Sequence, residues 1–492
     1  MKNSKILLIT FGLIMVLTAC HDHLQEEYKN LPTTDKILKS PENIASIAED
    51  LFFNWFMAMN SSWSPRMAMW VMADQGSCSW ANVAMYHLSS EPRIQFNNSV
   101  TYTYARINED FYEDMHSTLS MANDVIRAIN QGLEMPGGEN ETAMVKAKAF
   151  FIQGVILGYM GLTYDRTFIM TDTVTKPKLI SLSPYDEVVE AALHSLDSVK
   201  ALTDDYYFVI PETWINGHNY SSIELAELAN SFSARFLIFQ ARNRADNEAV
   251  DWPRIRDLLE DGMQKDLLIT TDNVTWHSYF RRYTVPEDWA RIDCRIINLM
   301  DPRYPYRFPE DGTNPPRASS SDRRLDAYFT YIGSHDMKPE RGYYHYSNYD
   351  FRRYDYAVTT WTGDVVDFQR YESELIRAEA LARTNDISGA VEIINDGPRT
   401  TVGMLPDLAT DISLEELLEV IFYERDIELI QTGFGNAFFD MRRRDMLQEG
   451  TMLHFPIPGK ELDVMEMERY SFGGVTSADG VNTSNGGWFP EE

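Results

Sequence analysis

Apolar residues recur at helical spacing along most of the chain. Near the start, Ile44, Ala48, Leu51 and Trp55 follow one another at intervals of three or four positions, and residues 40–42 (Ser-Pro-Glu) place an N-cap, a first-turn proline and a first-turn acid ahead of them. The same reasoning predicts further helices over residues 143–162, 185–202 and 222–242. The first of these is apolar nearly all round, so we expect it to be buried on several sides.

Two patterns predict helices nearer the C-terminus. The pattern over residues 374–395 predicts two short helices joined at Asn385-Asp386. Alanines on these helices resemble those of tetratricopeptide hairpins, although this sequence shows no clean repeat. Ser413 and Glu416 have the spacing of a capping box, and Gly433 is placed to end the helix that follows. The sequence therefore predicts a mostly α protein with tetratricopeptide-like helical hairpins.

Residues 271–371 depart from this pattern. Aromatic side chains are about twice as dense there as in the whole chain, prolines are frequent, and helical periodicity is weak. Residues 281–324 hold nine arginines against seven acids, a local reversal in an acidic protein. Long irregular segments in compact proteins are often functional, which favours a ligand-facing insertion. The alternative is a layer of loops whose tyrosines pack on the helices.

The first twenty residues have the pattern of an export leader. Lys2 and Lys5 precede an apolar run over residues 6–17, which is too short to span a membrane but has the length of a secretory h-region. Residues 17–20 (Leu-Thr-Ala-Cys) resemble a bacterial lipoprotein signal, in which the cysteine becomes an acylated N-terminus. We expect Cys20 to be a lipid tether. The alternative is an incidental cysteine near an ordinary cleavage site.

These patterns divide the chain into five parts that together form one compact domain. They are a lipoprotein signal peptide over 1–19, a lipidated tether over 20–39, a helical N-terminal part over 40–270, an irregular aromatic-rich segment over 271–371 and a C-terminal part over 372–492.

Charge and cysteine content exclude several classes of protein. The formal net charge of −30 argues against nucleic-acid binding, which needs a basic face. After Cys20 only Cys78 and Cys294 remain, so the chain is not a disulfide scaffold. The spacing does not decide whether the two pair, although free buried thiols are favoured.

Familiar catalytic motifs are absent from the sequence. It contains no His-Glu-x-x-His, no Gly-x-Ser-x-Gly, no phosphate-binding glycine loop and no Cys-x-x-Cys. His21 and His23 could hold a stray metal ion but fall within the tether. We therefore expect no catalytic residues, no metal site and no cofactor, while bound calcium stays open.

Aromatic residues are the better functional candidates because neutral sugars expose C–H faces that flat side chains can cover. Trp80 stands beside Asn82 in a Gly/Ser-rich segment, where burial at one end of the helices is an equally good interpretation. The candidate glycan-binding residues are Trp80, Asn82, Trp289, Tyr304, Tyr306, Tyr343, Tyr344, Tyr346 and Trp361.

Charged residues cluster late in the chain. Glu424, Arg425 and Glu428 share or adjoin one helix face, and Arg442 follows close behind. Two carboxylates one turn apart could do acid–base chemistry. A buried ion-pair network is favoured because the same helix carries core leucines.

Several of these stretches resemble the SusD/RagB family of outer-membrane lipoproteins, over essentially the whole chain. Residues 378–395 are similar to its helical hairpin, residues 455–458 (Phe-Pro-Ile-Pro) to its late Pro-Ile-Pro, and residues 147–165 to one of its long helices. Its late signature is matched at Glu424, Arg425, Glu428, Leu429, Gly433, Asp440 and Arg442, which adds Asp440 to the structural network. Thr432 departs from the family's usual Glu.

The resemblance implies a tetratricopeptide-like scaffold that carries an irregular ligand-facing half. Such proteins are lipid-anchored at the cell surface in the outer membrane and cap a SusC-like TonB-dependent transporter. They capture oligosaccharides, or in some cases peptides, and do no chemistry. We therefore expect a glycan-binding importer subunit. A peptide-binding lid, with the arginines of residues 281–324 facing ligand carboxylates, and an enzyme or pure scaffold are the alternatives.

Overall fold

The computed structural model describes residues 38–78, 82–174, 180–286, 289–309, 311–333, 346–357, 360–476 and 486–488. Helices carry most of the regular structure in these ranges, which confirms the predicted mostly α architecture. They are α1 (Pro41–Asn60), α2 (Arg66–Met72), α3 (Met85–Leu88), α4 (Arg106–Asn130), α5 (Glu139–Thr163), α6 (Tyr185–Asp205), α7 (Ser222–Phe239), α8 (Arg244–Glu248), α9 (Trp252–Glu260), α10 (Tyr279–Thr284), α11 (Cys294–Met300), α12 (Arg324–Tyr328), α13 (Arg370–Arg383), α14 (Ile387–Asn395), α15 (Pro398–Thr401), α16 (Leu414–Glu428), α17 (Asn436–Arg443) and α18 (Gly459–Val464).

The described strands are short and pair only in twos. They are β1 (Gly76–Cys78), β2 (Arg166–Thr167), β3 (Ser183–Pro184), β4 (Val209–Ile215), β5 (His218–Ser221), β6 (Leu267–Thr271), β7 (Ala290–Ile292), β8 (Phe329–Tyr331), β9 (Tyr349–Phe351) and β10 (Gly363–Phe368). The antiparallel pairs are β1–β7, β2–β3, β4–β5, β6–β10 and β8–β9. None of these ribbons is wide enough to form a sheet core, so the helices provide it.

The long helices pack in a continuous series. α1 packs on α4, α4 on α5, α5 on α6 and α6 on α7, and then α7 packs on α9 and α9 on α13. The series ends where α13 contacts both α14 and α16. Because consecutive helices are neighbours in space, the scaffold is a stack of helical hairpins around one large apolar core.

Helix α5 lies at the centre of this core. It is long and apolar enough to cross a membrane, but most of its surface is buried inside the protein. Glycines let its neighbours come close. A Cβ on Gly158 would lie 2.2 Å from the Phe236 ring of α7, and one on Gly161 would lie 2.8 Å from the Val189 side chain of α6. The predicted burial of this helix on several sides is confirmed.

The sequence located several helix ends correctly. Ser40 caps α1, with its side chain accepting from the Asn43 N–H, and Ser413 and Glu416 form the predicted capping box of α16. The two helices predicted within residues 374–395 are α13 and α14, joined at Asn385 and Asp386. The role predicted for Gly433 is wrong, because α16 already ends at Glu428.

Two buried arginines close the C-terminal end of α5. Arg242 and Arg442 each donate from Nη1 to the Leu162 carbonyl, at 2.9 and 3.0 Å, and Arg442 also donates to the Phe239 carbonyl of α7 at 2.6 Å. Free carbonyls at a helix end carry partial negative charge and accept hydrogen bonds. A buried guanidinium can therefore bind them in place of a carboxylate partner. Arg442 was predicted to join a carboxylate network, and that prediction is wrong because its partners are backbone carbonyls.

The other predicted network residues are buried and paired. Arg425 Nε donates to Asp440 Oδ1 at 2.9 Å, and Arg443 binds the same carboxylate at 2.6 Å. Burial by itself would raise the pKa of Asp440, but Arg425, Arg443 and Arg444 hold it well below its usual range. A structural role for this network fits these contacts.

Glu424 and Glu428 have a partner that the sequence did not indicate. Arg324 of α12 donates to Glu424 and Glu428 of α16 and also to Asp322, and all four side chains are almost wholly buried. We call these four residues the Arg324 clamp. The clamp attaches residues 271–371 to the helical scaffold.

Residues 271–371 also have an apolar core of their own. Ile292, Ile296, Tyr328 and Phe351 belong to it, and Ile427 and Ile430 extend it onto the scaffold. Cys294 lies in this core as a free thiol that donates to the Tyr346 carbonyl. The segment is therefore a packed layer of short helices and ribbons.

Candidate functional site

The Gly/Ser-rich segment around Trp80 and Asn82 and the aromatic-rich residues 271–371 meet in the structure. Strands β1 and β7 pair with Gly76 opposite Ile292 and Cys78 opposite Ala290, which joins residues 72–93 to residues 271–371. Arg307 also binds Glu91. The two stretches are therefore neighbours in the fold.

Four aromatic side chains lie on or beside α10 in this region. Tyr279 and Tyr283 are one helical turn apart and so share a face. The His277 ring lies 4.9 Å from that of Tyr279 and is perpendicular to it, and the Trp289 ring lies 5.2 Å from that of Tyr283. Trp289 is 41% exposed, and the other three rings are half-buried. We call His277, Tyr279, Tyr283 and Trp289 the aromatic strip.

Polar groups border the aromatic strip at its Tyr279 end. Arg282 lies over the Tyr279 ring at 5.1 Å and donates to the Asn273 side-chain oxygen. Partial burial and then the charge of Arg282 lower the pKa of His277 below its usual value. His277 is therefore a neutral imidazole near pH 7, with both a hydrogen-bond donor and an acceptor.

The inner side of α10 holds the aromatic strip in place. Ser278 caps the helix, with its Oγ accepting from the Arg281 N–H at 3.3 Å. Phe280 is buried edge-on against Trp70, and the buried guanidinium of Arg281 lies 3.5 Å from the Tyr354 ring centre. Tyr279 and Tyr283 thus stand on a helix that Phe280 and Arg281 anchor in the protein interior.

Two of the predicted ligand-facing rings are buried instead. Tyr304 is 2% exposed, and its hydroxyl accepts from the Asn348 N–H. Tyr346 is fully buried and stacks on Phe308 with ring centres 4.4 Å apart. The expectation that these two rings are exposed is wrong, because Tyr304 belongs to the apolar core of residues 271–371 and Tyr346 to a small separate cluster with Phe308.

Other predicted rings stay accessible. Tyr306 is half-buried with its ring 6.4 Å from that of Trp488, and Trp361 is half-buried with its carbonyl accepting from Thr271 Oγ1 at 3.3 Å. Trp80, Tyr343 and Tyr344 lie outside the described residues, as does Cys20, and only the backbone of Asn82 is described.

Sequence reasoning missed most of the aromatic strip. Tyr279, Tyr283 and His277 lie in the aromatic-rich segment, but α10 is only six residues long. Its amphipathic pattern is too brief to separate from the surrounding loops. The one available signal was the pair of tyrosines four positions apart, followed by a nearby tryptophan.

The described part of the chain contains no group of three or more His, Cys, Asp or Glu residues arranged to hold a metal ion. His21 and His23 lie outside it.

No protein-family model and no curated protein matches the sequence, but solved structures do match the fold. A SusD superfamily protein from Bacteroides vulgatus is 12% identical with a TM-score of 0.59, and the alignment covers 87% of this chain and 97% of that one. A SusD superfamily protein from Parabacteroides distasonis is 12% identical with a TM-score of 0.60, over 86% of this chain and 97% of that one.

A third structure has a described class of ligand. It is a SusD-like carbohydrate-binding protein from Bacteroides fragilis, 14% identical with a TM-score of 0.58, and the alignment covers 82% of this chain and 86% of that one. At such low identity the likeness concerns the backbone architecture. Taken with the stack of helical hairpins and the packed aromatic layer, these alignments show that the chain has the SusD-like fold.

Proposed function

We propose that this protein binds oligosaccharides at the surface formed by the aromatic strip. The carrying observation is a row of partly exposed rings on and beside α10, ending at the 41%-exposed Trp289, while Phe280 and Arg281 of the same helix are buried. Flat rings cover the C–H faces of sugars, and Asn273, His277 and Arg282 at the border supply hydrogen-bonding groups for sugar hydroxyls. Tyr306 and Trp361 are further candidate platforms.

The likeness in fold supports this proposal. One related structure is described as carbohydrate-binding, and the accessible aromatics here would suit the same class of ligand. The peptide alternative relied on arginines that face ligand carboxylates. Four arginines of that stretch, Arg281, Arg291, Arg295 and Arg324, are buried, so we do not propose peptide binding.

Binding is proposed here as part of nutrient import. Cys20 would carry the lipid that holds the protein at the outer membrane, and the chain would deliver oligosaccharides to a SusC-like TonB-dependent transporter. This role rests on the leader pattern and on the SusD-like fold, and it assigns the protein binding without catalysis.

A binding screen tests the proposed site. Full-length protein in detergent is titrated with a panel of neutral and acidic oligosaccharides, and the best ligand is then tested on Tyr283→Ala/Trp289→Ala. Each lost platform costs on the order of 1 kcal/mol, so the double variant should bind roughly tenfold or more weakly. Tyr207→Ala is the matched control, because it removes an exposed tyrosine from the connection between α6 and β4.

The two variants must keep the wild-type far-ultraviolet circular dichroism for the comparison to hold. Equal affinities of the double variant and the wild type would place the site elsewhere. Trp80→Ala/Trp361→Ala then serves as the second test, because those rings come from the same two stretches.

A further inference from the structure

A small cavity lies beside Phe280 of α10, the helix that carries Tyr279 and Tyr283. It has a volume of about 10 Å³, which is enough for the centre of one water-sized particle. Its lining comes from three separated parts of the chain, namely α2 with Gln75 after it, Phe280 of α10, and the first turn of α17 with the residues before it. Among the lining residues one side chain, that of Arg66, is charged, and no carboxylate reaches the cavity.

The first turn of α17 has no cap. The N-cap position is Gly435, in the left-handed region at φ 68°, and no side chain accepts from the turn. The N–H groups of Asn436, Ala437 and Phe438 have no intrahelical acceptor because they begin the helix. The helix dipole adds partial positive charge at the same point. The cavity therefore meets an unsatisfied helix N-terminus.

Side chains of α2 bring further donors to the cavity. Arg66 is 2% exposed and donates from Nη1 to Asn60 at 2.8 Å, while its Nε and Nη2 have no partner among the described residues. Trp70 is 4% exposed, and its Nε1 is likewise unpartnered. Buried donors without acceptors are costly, so a ligand in the cavity that accepts hydrogen bonds would be stabilised by these nitrogen atoms.

Arg66 also carries a buried charge without a direct partner. Glu372 pairs directly with Arg235, whereas Arg66 makes no direct ion pair with any described carboxylate. Burial lowers the pKa of Arg66 to about 10, with Asp367 opposing that shift and Arg281 and Arg235 adding to it, so the side chain stays charged at pH 7.

We propose that this cavity binds one monatomic anion, a chloride ion under physiological conditions. Arg66, Trp70 and the first turn of α17 line it and carry these donors, which together match the needs of a buried halide. A polyatomic anion such as sulfate is too large for the space. Of the other polar lining groups, Thr432 donates to the Leu429 carbonyl, Gln75 adds an amide, and Asn436 presents an unpartnered Oδ1.

The anion would also fix the position of α10. Phe280 lines the cavity and lies 4.3 Å under the Arg66 guanidinium, on the helix that carries the aromatic strip. This site stands apart from the oligosaccharide proposal, because it rests on buried donors and not on the aromatic strip.

Thermal melts of the full chain test the proposal. Chloride is raised against gluconate at constant ionic strength and pH, so that general salt effects cancel. A hundredfold excess of chloride over its Kd should raise Tm by roughly 3 °C. Trp70→Phe removes one donor but keeps most of the ring, and it should reduce this chloride-dependent shift.

Trp55→Phe is the matched control, since Trp55 is also a buried tryptophan with an unpartnered Nε1 but does not line the cavity. It should keep the full chloride-dependent shift, whatever its own Tm. A crystal grown with bromide should show an anomalous peak beside Arg66. Equal Tm values in chloride and gluconate together with no anomalous peak would overturn the proposal, since the cavity would then hold water.

Discussion

Replacing Arg324 by methionine should weaken the attachment between the aromatic layer and the helical scaffold. The Arg324 side chain is fully buried, and its three donor nitrogens bind Asp322, Glu424 and Glu428. Methionine fills similar space but offers no charge. Glu424 would be left with Arg399 at 3.8 Å, and Glu428 would keep Arg353 at 3.1 Å and the Tyr328 hydroxyl at 3.3 Å.

The size of the effect follows from the two carboxylates left behind. Breaking a buried ion pair by removing one partner typically costs about 3–5 kcal/mol, because an uncompensated charge stays in the interior. Burial already raises the pKa of Glu424 in spite of Arg324. Without the arginine that carboxylate would protonate more readily, which limits the loss. We therefore expect the free energy of unfolding to fall by about 3 kcal/mol near pH 7.

Urea unfolding followed by circular dichroism measures this change. Arg323→Met is the matched control, since Arg323 is the neighbouring residue, is 67% exposed and reaches Asp326 only at 4.0 Å. It should change the free energy of unfolding by less than about 0.5 kcal/mol. Adding Glu424→Gln to Arg324→Met should recover part of the loss. A change below about 1 kcal/mol for Arg324→Met would refute the clamp as a main attachment.

Three further changes have defined outcomes. Cys20→Ala should leave the protein out of the membrane fraction and unlabelled by radioactive fatty acid, and label on the variant would contradict the tether. Burial, Arg242 and Arg442 hold the pKa of His454 well below its usual value, so only the unfolded chain takes up this proton as the pH falls below about 6.5. The free energy of unfolding should then drop by up to about 1.4 kcal/mol per pH unit. His454→Phe should reduce that slope in melts recorded at different pH values. Gly158→Ala should lower the free energy of unfolding, measured by urea titration, by about 1–3 kcal/mol because the added methyl group overlaps the Phe236 ring. An unchanged value would mean that the core rearranges to accommodate the methyl group.

Local chemistry explains which parts of the fold could be predicted from sequence. Ser40 and Ser413 cap helices through neighbours three residues away, so a short stretch contains the whole signal. Helix α4 is not among the predicted helices, although its sequence carries a local pattern, since Ile107, Phe111 and Met115 recur every four positions and are buried.

Long-range contacts could not be predicted in the same way. Arg324 lies 100 residues from Glu424, and nothing near either residue indicates the other. The tyrosine-rich composition of residues 271–371 was clear, but composition does not separate buried Tyr346 from half-buried Tyr283. Burial there depends on short ribbons such as β1–β7, whose partners are far apart in sequence.

The arginine closure of α5 has a consequence for the order of folding. Arg442 reaches the Leu162 carbonyl across 280 residues and also donates to the Phe239 carbonyl of α7. A chain made from its N-terminus presents both helices long before this side chain is added. Arg242 can reach the end of α5 in the meantime, but the Phe239 carbonyl still lacks its arginine donor. Final closure of the N-terminal helices therefore depends on nearly complete synthesis, so a chain truncated before Arg442 would carry an unfinished scaffold.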